Sequence, residues 1–301
     1  MRLFAVLLVL PLLAACESTA EVPSSGGPPV RSGTTGTVDL DGRPFQLHVP
    51  GSSDPAAKAP LVVLLHGFTS DAAQIESYFK LTAESQRRGF LLAMPDGTKD
   101  REGRRFWNAT QACCDFGGLG TDDSGYLSRL IDTVVARYPV DTKRVYFVGH
   151  SNGGFMSYRM ACEHATKVTA IVSLAGMATA DVAACKPQRP VSILQVHGTD
   201  DRTVLFEGGG NAGRSYPSVD ATLAQWRGHN GCADEADASA APMDLDSNLA
   251  GQETTVTTYR SGCRDATRVE LWTIKGGSHG PAFTSNFAPA VTDFLLALSS
   301  Q

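Results

Sequence analysis

A short β-branched and aromatic run, Val145-Tyr146-Phe147-Val148, leads straight into Gly149-His150-Ser151-Asn152-Gly153-Gly154 and then into a helix-like stretch. A strand, a Gly-x-Ser-x-Gly string and a helix in that order demand a sharp corner. The serine there must sit in strained backbone, and the flanking glycines let strand and helix approach while its hydroxyl points outward. This nucleophile elbow is the strongest constraint in the chain and makes Ser151 the first candidate functional residue.

An elbow serine needs a base and an acid that orients the base, and in this arrangement the chain order is serine, acid, histidine. Of the seven histidines, His48, His66 and His150 precede Ser151. His164 lies on the helix leaving the elbow, about three turns along its axis. His197, His229 and His279 remain. His197 closes the apolar run 191–196 and opens His197-Gly198-Thr199-Asp200-Asp201, where a strand gives way to an acidic loop. His229 stands at a helix end beside Cys232, a place for capping or packing. His279 follows the alternating strand 269–274 and sits in Gly276-Gly277-Ser278-His279-Gly280, the loop position that a general base requires. His279 is therefore the expected base, and the adjacent Asp200 and Asp201 are the candidates for the acid.

A tetrahedral intermediate also needs donors for its oxyanion. The N–H of Asn152, just after the nucleophile, is one candidate. The buried run Pro60 to Leu65 ends in His66-Gly67-Phe68, and the Phe68 N–H is the second. Trp107, Phe116 and His66 are the candidates to line an acyl or aromatic site, although a loop tryptophan also commonly packs beneath its loop, and His66-Gly67 also reads as a tight strand-to-loop turn.

With 42% apolar and 19% charged residues and a net charge of −5, the chain can bury a sizeable core and carries no basic field for nucleic acid. It has no metal-binding or nucleotide-binding string of the common kinds, so no metal and no cofactor is expected.

Residues 1–16 read as a targeting segment: Arg2, an apolar stretch Leu3 to Leu13 too short to span a bilayer, and Leu13-Ala14-Ala15-Cys16, which is similar to a bacterial lipobox. Lipidation at Cys16 would anchor an exported protein to a membrane, with plain secretion as the alternative. Residues 17–34, rich in Ser, Gly, Pro and Thr, read as a flexible tether. Seven cysteines less Cys16 leave six for an oxidising compartment. Cys162 with Cys185 and Cys232 with Cys263 would close local loops around the strands that carry the candidate residues. The adjacent Cys113 and Cys114 either pair with each other or seek other partners.

Residues 37–47 read as a hairpin turning at Asp41-Gly42. Strands follow at 61–65, 90–94, 145–148, 170–174, 191–196 and 269–274, interleaved with helical patterns at 71–87, 123–137, 152–163, 218–228 and 287–298. The first helix is opened by Ser70-Asp71 and the second by Asp122-Asp123. Such alternation predicts a mostly parallel sheet of eight strands with helices on both faces, in one catalytic domain over 35–301.

Taken together, Leu65-His66-Gly67, Trp107-Asn108-Ala109 with Cys113-Cys114, Asp122-Asp123, Gly149 to Gly154, Ala161-Cys162-Glu163, His197 to Asp201, Gly231-Cys232 and Gly276 to His279 resemble the bacterial polyhydroxybutyrate depolymerase and feruloyl esterase-like group of α/β-hydrolases. The resemblance spans nearly the whole domain and implies an α/β-hydrolase fold and a serine esterase with Ser151, Asp201 and His279 as its triad. The spacing H-G-x-x-D, common in that fold, selects Asp201 over Asp200. Many members carry Trp-Pro just after the base histidine, where this chain has Gly280-Pro281-Ala282-Phe283. The implied substrates are short or aromatic acyl esters or soluble hydroxyalkanoate oligomers, cleaved through an acyl-enzyme at a rate rising with pH through roughly 6 to 7.5 as the base becomes neutral. A peptidase or acyltransferase on the same scaffold, or a surface binding lipoprotein without activity, are the other classes considered.

Overall fold

The computed structural model describes residues 29–51 and 57–300. The expected signal segment, Cys16 and most of the expected tether lie outside the described residues. The fold begins before the expected end of that tether: Val30 packs on the core and its N–H bonds to the Tyr138 hydroxyl at 2.7 Å.

Nine strands form one sheet. They are β1 (Thr34–Val38), β2 (Phe45–Val49), β3 (Ala59–Leu65), β4 (Leu91–Pro95), β5 (Val140–His150), β6 (Ala170–Leu174), β7 (Ser192–Gly198), β8 (Thr254–Tyr259) and β9 (Val269–Ile274), in spatial order β1-β2-β4-β3-β5-β6-β7-β9-β8. The central strands from β4 to β9 run parallel, and the outer pairs β1–β2, β2–β4 and β9–β8 are antiparallel. In the opening hairpin Asp41 and Gly42 both hold positive φ, 53° and 75°, as a primed two-residue turn requires.

This is the expected α/β-hydrolase architecture with one strand more than the sequence suggested. The additional strand, β8, is Thr-Thr-Val-Thr-Thr-Tyr, with buried and half-buried positions alternating. It lies at the sheet edge and offers one aliphatic side chain, Val256, so it lacks the continuous apolar run that marks the central strands.

Helices α1 (Ala72–Phe79), α2 (Leu81–Arg88), α3 (Asp123–Arg137), α4 (Asn152–Glu163), α5 (Val219–Asn230) and α6 (Phe287–Leu296) cover the sheet. Successive strand residues face opposite sides. Leu61, Val63, Val145, Phe147, Ile171 and Ile193 share a core with α3, α4 and α5, whereas Val62, Leu64, Tyr146, Val148, Val172 and Leu194 share one with α1, α2 and α6. Burial on both faces explains why the central strands read as unbroken apolar runs.

The single helix expected over 71–87 is two helices. Lys80 takes a left-handed conformation (φ 57°), and the Glu76 carboxylate reaches forward to accept the N–H groups of Leu81 and Thr82 at 3.2 and 2.8 Å, capping α2. Asp71 and Asp122 accept from Gln74 N and Gly125 N, the caps expected for α1 and α3. The described residues form three disulfides, Cys113–Cys114, Cys162–Cys185 and Cys232–Cys263.

Candidate active site

Ser151 joins β5 to α4 with φ 53° and ψ −118°, a conformation that costs a non-glycine residue about 1–3 kcal/mol and persists only when its surroundings hold it. Those surroundings are close-packed backbone. A Cβ on Gly149 would lie 2.1 Å from the Gly153 carbonyl oxygen, and one on Gly153 would lie 2.3 Å from that of Leu65. The corner is therefore possible only with glycine at both places. The Ser151 N–H bonds to the Leu174 carbonyl at 2.7 Å.

The end of β3 meets this corner. A Cβ on Gly67 would stand 3.5 Å from Ser151 Cβ, so the His66-Gly67-Phe68 turn borders the serine. The backbone N–H groups of Phe68 and Asn152 have no acceptor among the described residues. Both donors proposed for an oxyanion are thus unengaged.

After β7, the buried Asp201 accepts the Thr203 and Val204 N–H groups on Oδ1, at 2.8 and 2.9 Å. Its Oδ2 lies 2.7 Å from His279 Nδ1 and 3.2 Å from His197 Nε2. Burial alone would raise the Asp201 carboxyl, but hydrogen bonds from His197 and His279 outweigh it and hold the group well below the usual carboxylate range. Asp200 is exposed, and its N–H ties the loop to the Gly277 carbonyl at 2.9 Å. With Nδ1 facing Asp201, Nε2 is the free nitrogen of His279. No hydrogen bond joins it to Ser151 Oγ in this conformation, a distance that commonly closes only with substrate present.

Two residues that the sequence reading passed over brace the His279 loop. His150, beside Ser151 in the chain, packs its ring 5.0 Å from that of His279 and donates from Nε2 to the His279 carbonyl at 2.9 Å. Burial, and then the neighbouring His279, push His150 down to about 4, so it stays neutral at working pH. Tyr78 packs on His150 and donates its hydroxyl to the Pro281 carbonyl at 2.8 Å. An aromatic residue facing the x position of Gly-x-Ser-x-Gly leaves no short-range signal in the sequence.

Trp107 and His66, expected to line a substrate site, are corrected by the structure: both are wholly buried. Trp107 Nε1 donates to the His66 carbonyl at 3.0 Å, and both His66 ring nitrogens are occupied, Nδ1 by Gly67 O at 2.7 Å and Nε2 by Gly97 N at 2.9 Å. They hold the walls in place and do not form them. The Asn152 side chain completes this brace, its Oδ1 accepting Trp107 N at 2.7 Å and its Nδ2 donating to Trp107 O at 2.8 Å and to Cys113 Sγ at 3.4 Å. Phe116 is the one of the three that meets solvent, 44% exposed, with its ring edge-on to Phe68 at 5.5 Å. His229, set aside in the sequence, packs its ring against Trp226 on α5.

A cavity of about 280 Å³ opens beside Asp201, lined by Thr199, Leu205, Phe206 and Glu207. A larger one, about 370 Å³, runs along α4 between Asn108, Tyr158, Glu163 and Trp226 and touches none of Ser151, Asp201 and His279. Size alone therefore does not point to the chemistry.

The model of the Esterase PHB depolymerase family matches residues 45–269, which contain the elbow and the acid loop. The chain belongs to this family. Among characterised relatives, it is 29% identical over 240 residues to a bifunctional acetylxylan esterase/xylanase of Neocallimastix patriciarum, covering 78% of this chain and 31% of that protein. It is 26% identical over 294 residues to feruloyl esterase D of Neurospora crassa, covering 92% of this chain and 88% of that one. The chain spans 31% to 50% of the length of three relatives that it matches. A solved acetyl xylan esterase from Aspergillus awamori shares the fold, with a TM-score of 0.63 at 14% identity over 87% of this chain and 99% of that one.

Proposed function

We propose that this protein hydrolyses carboxylic esters through an acyl-enzyme on Ser151. His279 takes the Ser151 proton as the hydroxyl attacks the ester carbonyl, the Phe68 and Asn152 N–H groups receive the oxyanion, and Asp201 holds the imidazole in the tautomer that leaves Nε2 free to act. His279 then returns the proton to the leaving alcohol. Water, deprotonated by the same ring, releases the acid.

The observation that carries this reading is the pairing of His279 Nδ1 with Asp201 at 2.7 Å beside a serine at φ 53°. A strained corner and a buried, charge-assisted histidine–carboxylate pair are costly features for a passive binding module. Relatives named as feruloyl and acetylxylan esterases support aromatic or acetyl esters as the acyl class, and the aromatic pair Phe68 and Phe116 at the rim favours the aromatic one. Export fits the three disulfides, and Cys16 is the residue that we propose carries a lipid anchor, with residues 1–16 as the signal segment.

The test compares p-nitrophenyl acetate, methyl ferulate and hydroxybutyrate oligomers, with an anilide of the same acyl group as the amide control. The expected result is ester turnover by the wild type and none by Ser151→Ala. Equal activity of the two proteins, or preference for the amide, would overturn the esterase reading.

A further inference from the structure

In strand β7, Gln195 and His197 are polar residues that share one face and are both wholly buried. The mechanism above uses neither. A buried amide and a buried imidazole need partners for their polar atoms, and here one chain of hydrogen bonds supplies them.

Gln195 Nε2 lies 2.9 Å from the Gly176 carbonyl oxygen, which can only accept, so the amide orientation is determined. Its Oε1 then accepts from the Tyr158 hydroxyl at 2.7 Å, and the remaining N–H of Nε2 faces His197 Nδ1 at 3.0 Å. Nδ1 must be the bare nitrogen, and the ring carries its proton on Nε2. That N–H meets the Val204 carbonyl oxygen at 2.8 Å and Asp201 Oδ2 at 3.2 Å, the same carboxylate oxygen that His279 Nδ1 reaches at 2.7 Å.

Building on the roles given above to Ser151, His279 and Asp201, we propose that His197 is a positioning residue. Held as its Nε2–H tautomer by Gln195 and Tyr158, it supplies Asp201 with a second imidazole donor and so sets how strongly the carboxylate attracts the charged form of His279. A donor on Oδ2 draws charge away from the bond to His279. Without it the carboxylate offers more of its charge to the imidazolium, and the base becomes neutral only at higher pH.

The ionisable groups facing the pair are few. His197 comes from β7, His150 comes from the end of β5 with Tyr78 of α1 behind it, and Glu207, in the loop after β7, lines the cavity beside Asp201. His150 is neutral through the relevant range, and burial holds the Tyr158 phenol far above it, so neither titrates there. The ring of Phe206 packs edge-on to His197 at 5.7 Å, a setting that accepts another aromatic ring.

The experiment is the pH dependence of kcat/KM on p-nitrophenyl acetate for wild type, His197→Phe and His197→Gln. We expect His197→Phe to move the acid-limb midpoint upward by about half to one pH unit, and His197→Gln, whose amide can donate to the same oxygen, to restore most of the shift. A midpoint that stays put or moves down in His197→Phe, with only the rate reduced, overturns the proposal. A two-bond ¹H–¹⁵N spectrum of histidine-labelled wild type at pH 7 decides the matter without a variant. Protonated Nε2 and bare Nδ1 on His197 support it, and the opposite tautomer or a doubly protonated ring overturns it. Wild-type turnover that survives Ser151→Ala would instead refute the esterase reading, and the spectrum still judges the tautomer.

Discussion

The floor of the site and its rim are built by opposite rules. Beneath Ser151 and His279, the side chains of Asn152, Asp201, His197, Gln195 and Tyr158 are buried, and each bonds to named partners, so every one is held by at least one neighbour that cannot move freely. At the rim, Phe116, Leu119 and Leu205 are exposed, and residues 116–120 are held chiefly by the Asp115 carboxylate, which accepts Leu119 N and Gly120 N at 2.9 and 2.6 Å. The contrast teaches where each property resides. On the proposed reading, the reacting groups are fixed by a network with little freedom to repack, and the choice of acyl group falls to apolar side chains that bind by contact area.

Substitutions in the two regions should therefore fail differently. The largest effect is expected from the acid: Asp201→Asn should lower kcat about a thousandfold or more, while Asp200→Asn stays within about twofold of wild type, measured on one ester under saturation. Similar losses from both variants would break the assignment of Asp201 to the floor.

Asn152→Ala comes next. It keeps the backbone N–H but removes the acceptor of Trp107 N and one of the two donors to Trp107 O, which Cys114 N still reaches at 3.3 Å, and we expect a loss of about 2–4 kcal/mol in urea unfolding together with a roughly tenfold fall in kcat. Unchanged stability would show that the clamp on Trp107 is not part of the floor.

The His150 brace should appear in the pH dependence of stability. A histidine pushed down to about 4 in the folded state stays neutral while the unfolded chain takes up a proton near 6.5, so stability is full above about 6.5 and falls as pH drops towards 4. His150→Asn should flatten that part of the Tm-against-pH curve. The smallest effect belongs to the rim, where Phe116→Ala should raise KM for methyl ferulate by about three- to tenfold, leaving p-nitrophenyl acetate and Tm nearly unchanged.

Much of this was legible in the sequence because local chemistry dictates it. The elbow needs its glycines within a few residues, the acid loop follows directly on its strand, and α1 and α3 carry their own capping side chains, Asp71 and Asp122. What was not legible depends on side-chain contacts that no short string of residues fixes. Trp107 reads the same whether it faces solvent or packs under its loop, and only the Asn152 clamp and the His66 carbonyl decide it. The break at Lys80 depends on the Glu76 side chain reaching forward, and β8 is specified by its partner β9 more than by its own threonines. Gln195 and His197 did leave a trace, as two polar residues at alternate positions in a fully buried strand, the pattern of a buried polar network.

The central claim is that Ser151 is the nucleophile that His279 and Asp201 activate. Its most direct test is stoichiometric labelling with diethyl p-nitrophenyl phosphate followed by peptide mass spectrometry. The account predicts one diethylphosphoryl group on the peptide containing Ser151, formed much more slowly in His279→Ala and Asp201→Asn. A label on another residue with full loss of activity, or continued ester turnover in protein fully labelled at Ser151, would contradict it.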